Sequence, residues 1–359
     1  VKRGQLVCAL VAEYLKYIEI RPSGAILIGR NFVVDGHAER PVRVVTHAHA
    51  DHVVDINASV RECKEIVATE ITLDLIEVLG YIESRSLPLF RVKRKSIDYY
   101  ECRSYGNEKL CAIPADHIPG AMQVSVEIVD KNIRIGYTGD FKLTSKTEIM
   151  KDLDVLVIEA TYGHPAYKRP YKDSVSALLA DFVYEGLRVY KRVHIYAYHG
   201  KMEEVMVALR ERGVTAPYIV PSKVYNVLKL LEQKHGFKIG NYYKEVEMWR
   251  FKNSSEGVVV FKHFSSARYR KLDGSVLHIV LTGRISTEPY KKLDDYTYVI
   301  SFSDHGDFDD LVTYAIKANP KLVVIDGSRG GYAKSLKEYL AKRGFNVIIL
   351  PGSGGNRYV

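Results

Sequence analysis

The stretch VRVVTHAHADHVVDI, residues 42–56, sets His47, His49, Asp51 and His52 within six consecutive positions, directly after a β-branched run. Imidazoles this crowded repel one another when charged and lose hydration when neutral, unless something binds them. A divalent cation removes both costs, and imidazole and carboxylate are the ligands zinc takes at catalytic sites. The run from Val42 to Val45 predicts a strand, so the ligands would hang from its carboxyl end. Strand alternation sends His47 and His49 to one side. Asp51 and His52 would need a sharp turn to join them, and the small residues Ala48 and Ala50 leave room for it. The competing account is a loop that holds histidines for no chemical reason, and four ligand types in six residues weigh against it.

Around this feature, the first 160 residues read as short strands punctuated by turns. GAILIG, FVVDG, EIVAT, VSVEIV, IRIGYTGD and DVLVIEATYG are β-rich segments bounded by Gly, Asp or Asn. A helix is expected from Thr72 to Leu79. After Gly163 the texture changes: SVSALLADFVYEGLRVY, KMEEVMVALRERG and KVYNVLKLLEQKHG read as helices, alternating with the strands VHIYAY and APYIVPS. Strand and helix alternate again in the last sixty residues. The pattern predicts a β-rich domain, an α/β insertion, and a return to the first domain.

At 359 residues, with 47% hydrophobic and 26% charged positions, the chain has the make-up of an ordinary globular protein with room for two domains. No apolar run reaches membrane-spanning length, and no signal peptide is recognisable in a chain that begins at Val1. Cys8, Cys63, Cys102 and Cys111 are scattered without a C-x-x-C pair, which argues against a disulfide scaffold and predicts a reducing, cytoplasmic setting. Three glutamines among many Lys, Arg and Glu echo the bias of heat-adapted proteins. A net charge of +9 favours a polyanionic partner, of which nucleic acid is the commonest. The densest positive patches are Arg91–Lys95 and Tyr167–Lys172. The second interleaves aromatics with cations, as single-strand binding requires, though a solvated loop fits its composition equally.

Further ligands lie downstream. IPADHIPG offers His117 before a strand, with Gly120 allowing an unusual backbone. IRIGYTGD offers Asp140 and DVLVIEATYG offers Glu159, each at the carboxyl end of an apolar strand. Singly, these are a loop histidine, a turn former and a surface charge. Their shared placement after strands lets them converge at one sheet edge, where a bridging carboxylate suits two cations about 3.5–4 Å apart.

THAHADH at 46–52 resembles the H-x-H-x-D-H signature of the metallo-β-lactamase fold. GYTGDFK, IEATYG and VISFSDHGDF resemble segments of its nuclease branch, the β-CASP family. The likeness spans nearly the whole chain and looks closest to compact members that act as exonucleases or RNA 3'-end processing factors, including those linked to DNA ligase. It implies an αββα sandwich over residues 1–164 and 297–359, with an inserted α/β β-CASP domain over 165–296 that would close over the cleft. It implies two Zn2+, with Mn2+ or Mg2+ as substitutes. His47, His49 and His117 would hold one; Asp51, His52 and the bridging Asp140 the other. It implies hydrolysis of single-stranded RNA or DNA by a hydroxide between the metals, with Asp51, Glu159 and His305 in catalytic roles: Glu159 orienting, His305 assisting the leaving group.

At one position the chain departs from the family. Where many members have a histidine, LVVIDGSRGG has Asp326, which would either ligate the second metal or serve as a turn residue. Arg329 in that loop, Lys168 and Arg169 in the aromatic-basic segment, Lys291 and Lys292, and Arg284 in LTGR are the candidate phosphate contacts, each with an ordinary loop as the alternative. A thioesterase or lactonase of the same fold is disfavoured by the insertion, the charge and SFSDHGD. A catalytically silent RNA-binding subunit of a processing complex is the alternative: it should have a broken ligand run, and since this run is complete only the Asp326 position leaves an opening for it.

Overall fold

Runs of β-branched residues build the strands, and several are buried along their whole length: Val42–Val44, Val155–Ile158 and Leu322–Asp326 expose no residue on either face. Burial on both faces is what a parallel strand with cover on each side requires. The computed structural model describes residues 11–252, 254–267, 272–285 and 287–352. The chain divides into two units, Val1–Pro165 with His305–Val359, and Ala166–Asp304.

The first unit holds two sheets. One runs Ile18–Ile20, Ile26–Ile28, Phe32–Val34, Val42–Val44, Glu65–Ala68, Arg94–Ser96 in sequence order. The other has the order Val347–Leu350, Leu322–Asp326, Val155–Ile158, Ile133–Tyr137, Met122–Ile128, Glu108–Pro114, Cys102–Tyr105. They are tied where the Met122 amide donates to the Thr46 carbonyl (2.9 Å), and where Glu108 accepts from the amides of Arg30 and Asn31 (2.6 and 3.0 Å). Helices Ile56–Glu62, Glu70–Val78 and Leu87–Lys93 accompany the first sheet, and Phe308–Ala318 and Ala333–Lys342 the second. Tyr314 on Phe308–Ala318 donates to Gln123 Oε1 (2.6 Å) and accepts from the Met150 amide (3.1 Å), fastening that helix to the sheet. The arrangement is the expected αββα sandwich.

In the second unit a sheet runs Tyr242–Lys244, Tyr218–Val220, Val258–His263, Arg192–Ala197, Leu277–Leu281, Thr297–Ile300, Tyr290–Lys292, parallel except at the last pairing. Helices Val175–Tyr190, Lys201–Glu211 and Ser222–His235 bury Leu179, Val183, Met206, Leu209 and Leu228 in its core. Because Thr297–Ile300 pairs with Leu277–Leu281, this strand belongs to the second unit, and the chain crosses back at His305 rather than at 297. No helix among the described residues is long and apolar enough to cross a membrane.

The cysteine reading needs correction. Cys102 and Cys111 form a disulfide, because they are direct partners across an antiparallel hairpin, with Cα atoms 4.1 Å apart. Spacing along the chain hid a pairing that the register of the hairpin decides, so the cysteines give no ground for a reducing compartment. Cys63 is free and buried, and Cys8 lies outside the described residues.

Candidate metal centre

The candidate metal-ligand residues of the first unit sit at or just beyond the ends of strands. Val42–Val44 runs into Thr46 and His47, and the turn expected after His49 is a single 3-10 turn, Ala50–His52. His117 follows Glu108–Pro114, and its loop is anchored by Gly120 (φ +83°), whose carbonyl accepts from the hydroxyls of Thr69 and Thr72 (2.7 and 2.9 Å). A Cβ at Gly120 would sit 2.8 Å from the Thr72 amide nitrogen, so only glycine fits. Asp140 follows Ile133–Tyr137 and Glu159 follows Val155–Ile158, its parallel neighbour. His305 opens the return segment, where the Gly306 amide donates to the Phe141 carbonyl (2.6 Å).

These ends converge. Ligand atoms of His47, His49, His117 and Asp140 all lie within 4.8 Å of one another. His49 Nδ1 is 3.2 Å from His47 Nε2 and 3.0 Å from His117 Nε2. Asp140 Oδ2 lies 3.8 Å from His47 Nε2, 3.9 Å from His117 Nε2 and 3.2 Å from His52 Nε2. Asp51 Oδ2 is 3.6 Å from the same His52 nitrogen, but its side chain is 62% exposed. Burial drives the His47 pKa well below its ordinary value, and His52, His117 and His49 add to the effect, so the ring is neutral, the form that binds metal. Burial also works against a charged His52, yet Asp140 and Asp35 outweigh it and lift that pKa to about 10. Without a cation this ring keeps a proton that a metal would displace. His52 Nε2 is fully buried and faces Asp140 Oδ2 as an ion pair without hydrogen-bond geometry, an arrangement that a cation between the two would complete. The donor set and this nitrogen fit a divalent metal.

Sequence reasoning passed over Asp35, which organises the cluster. Fully buried in a left-handed conformation (φ 51°), it accepts from the Thr46 amide (2.8 Å) and hydroxyl (2.5 Å) and from His52 Nδ1 (2.8 Å). Since the Thr46 hydroxyl gives its proton to Asp35, it accepts from His47 Nδ1 at 3.0 Å. Both rings are thereby set in the tautomer that turns Nε2 toward the metal. The signal available was an aspartate at the end of FVVDG, the same strand-end position that exposed Asp140 and Glu159. Arg43 was also missed inside the apolar run: fully buried, it donates to the His52 carbonyl at 3.0 Å and so holds the ligand turn from beneath.

Glu159 accepts from the Phe141 amide (3.0 Å) and from His305 Nδ1 (3.1 Å). That bond places the Nδ1 proton and leaves Nε2 of His305 3.9 Å from Asp140 Oδ2. A cavity of about 180 Å3 is lined by His49, Asp51, Asp140, Glu159, His305 and Asp326, among others.

The remaining candidates are engaged in other ways. Asp326 lines the cavity but spends its carboxylate on Ser328 and Arg329, and it is in none of the metal-competent groups of the described residues. Arg329 bonds Asp326 (2.7 Å) and the carbonyls of Gly24 and Asp35 (2.6 Å each), a structural clamp rather than an open phosphate contact. Arg169 is buried and donates to the Gly283 carbonyl, so it too serves the fold, because a buried guanidinium must find acceptors. Lys168 and Arg284 are exposed in the second unit, as are Lys291 and Lys292, the last paired with Asp295. The Arg91–Lys95 patch is largely consumed internally: Arg91 pairs with Glu77, Arg94 with Asp74, and Lys93 donates to backbone carbonyls.

Residues 36–228 match the Beta-lactamase superfamily domain. The chain is 41% identical over 121 residues to a protein of Acidianus ambivalens described as "Uncharacterized protein in lig 3'region", covering 34% of this chain and 85% of that one. It is 23% identical to a probable RNase of Methanocaldococcus jannaschii, with 85% of each chain covered. A probable DNA ligase of Opitutus terrae is 23% identical over 88% of this chain, which spans 29% of that protein.

Proposed function

This chain belongs to the β-lactamase superfamily and to its β-CASP branch, and from that premise we propose that it is a metal-dependent phosphodiester hydrolase acting on single-stranded nucleic acid. The observation that carries the proposal is the four-ligand cluster of His47, His49, His117 and Asp140, of which His49 and Asp140 line a cavity together with the His305–Glu159 pair. Relatives named as RNase and as DNA ligase make nucleic acid the substrate class, and the net charge of +9 suits a polyanion.

His47, His49 and His117 with Asp140 would hold a divalent cation, taken as zinc, and Asp51 and His52 with Asp140 would hold a second. Bound there, the metals supply Lewis acidity toward the phosphate and hydroxide at neutral pH. The chain's own groups do the rest. Asp35 keeps His52, and through Thr46 also His47, in the ligating tautomer. Glu159 accepts from His305 Nδ1 and stabilises the ring's imidazolium form, so that Nε2–H on the cavity side would give its proton to the departing oxygen and leave the neutral ring. Lys168 and Arg284 supply exposed charge for the substrate backbone. Exonucleolytic action is the mode we assign.

The test is a labelled-strand assay with zinc-loaded protein and matched single-stranded RNA and DNA, labelled at either end. Single nucleotides should appear, and should vanish with an Asp51→Ala, His52→Ala double variant run as the control for contaminating nuclease. His305→Ala should lower kcat by about 10²–10⁴. Internal fragments would reassign the protein as an endonuclease; tight binding without turnover under several metals would make it a binding subunit.

A further inference from the structure

The cavity has three carboxylates at adjacent strand ends, Asp140, Glu159 and Asp326, yet they are used differently. Leu322–Asp326 lies parallel to Val155–Ile158, with Ile325 opposite Ile158, so Asp326 stands beside Glu159 at the cavity wall. Asp326 is 4% exposed, and both its oxygens are engaged: Oδ1 accepts from the Ser328 amide (2.8 Å) and hydroxyl (2.5 Å), Oδ2 from Arg329 Nη1 (2.7 Å). Arg329 cannot swing away, since Nη2 is held by the carbonyls of Gly24 and Asp35. Gly24 (φ +85°) is shaped to this clamp: a Cβ there would lie 3.1 Å from Arg329 Nη2.

The two metal positions are therefore not alike. One draws on four groups, His47, His49, His117 and Asp140. The other draws on His52, the shared Asp140 and the largely exposed Asp51, with a fixed guanidinium in the wall of the same cavity. A nearby positive charge disfavours a second cation, and a carboxylate already bridged to arginine is no ligand.

We propose that the Asp326–Arg329 pair makes the second metal position weak and exchangeable, so that this protein retains one divalent cation and takes a second only at high free metal. This rests on the metal-centre reading above and adds to it the control of the second position. In the full chain Arg329 is thus a positioning residue that acts through Asp326 and the Asp35 carbonyl.

The experiment is equilibrium dialysis of chelator-treated protein against buffered Zn2+, and separately Mn2+, with bound metal counted by elemental analysis. The wild type should reach a plateau at one metal per chain, the second requiring at least about tenfold more free metal. Arg329→Met releases Asp326 and should tighten the second metal about tenfold or more, leaving the first unchanged. Adding Asp326→Asn to that variant should return the second position to wild-type weakness. Two metals of equal affinity in the wild type would overturn the proposal, as would an Arg329→Met protein whose first metal is intact and whose second is no tighter. An Arg329→Met protein that loses the first metal as well would also overturn it, showing the clamp to be structural only; Arg329→Lys then checks whether charge alone restores the first metal. Failure of the wild type to bind any metal would instead strike the metalloenzyme reading itself.

Discussion

Asp35 shows what one buried carboxylate does for a cluster of imidazoles. It accepts from His52 Nδ1 directly and governs His47 through the Thr46 hydroxyl, so two ligand rings take their tautomer from one side chain. Asp35→Asn keeps the size but offers one acceptor oxygen in place of two, and should cost about 10- to 100-fold in metal affinity. Competition with a chromophoric chelator measures this, and unchanged affinity would remove Asp35 from the centre. The gathering of His47, His49, His52, His117, Asp140, Glu159 and His305 was legible in the sequence because ligand-type residues near strand ends carry their chemistry in their identity, whereas Asp51 is largely exposed and falls in none of the metal-competent groups of the described residues. Asp35 and Arg43 have equally telling identities, but neither lies in a run of ligand-type residues as dense as His47–His52 to draw attention to it. Their importance lies in partners met only after folding, Arg43 donating to a carbonyl nine residues on.

Among the elements, the loop leading into the Lys201–Glu211 helix carries a buried ion pair: Glu203 accepts from the Gly200 amide (2.7 Å) and from His199 Nδ1 (2.8 Å). Burial alone would raise the Glu203 pKa, but His199 and the backbone amides bring it below the ordinary value; burial alone would lower His199, and Glu203 raises it. A raised folded value for His199 means its contribution is complete below about pH 6.5 and fades as pH rises through that folded value. A depressed value for Glu203 means its contribution holds above about pH 4.5 and fades as pH falls through the folded value. Glu203→Gln should then cost about 2 kcal/mol near pH 6 and less near pH 10. Urea unfolding at both pH values reads the difference, and an equal loss at both would sink the argument. In the first unit, the Cys102–Cys111 bond closes a hairpin loop of sequence separation 9. Loop-closure entropy assigns it about 2–3 kcal/mol. The Cys102→Ser, Cys111→Ser protein should unfold at correspondingly lower urea with activity retained. Elements with strong periodicity were readable in advance, as Val175–Tyr190 and Ser222–His235 were, whereas Cys102–Tyr105 and Glu108–Pro114 were not, their alternation of charged and apolar residues being weak over so short a span.

For the whole molecule, a metal that binds only the folded centre adds stability by mass action. Free metal at about 100 times Kd contributes about 2.7 kcal/mol. Thermal unfolding of chelator-treated protein should shift upward when Zn2+ is restored and should depend on metal concentration; a midpoint indifferent to metal would argue against the centre. The β-rich first domain, the α/β insertion and the run of ligands were determined by the sequence itself, through β-branched strand runs, helical periodicity and residue identity, all of which act over a few neighbouring positions; the αββα arrangement of the first domain was legible only through the family resemblance. Which carboxylate joins the imidazole cluster and which is sequestered by an arginine was decided by tertiary structure alone. Arg329 reaches the carbonyl of Asp35 across 294 positions and in the same clamp withdraws Asp326 from the metal. A carboxylate's role follows from the hydrogen-bond donors that surround it, and those donors are chosen by the fold.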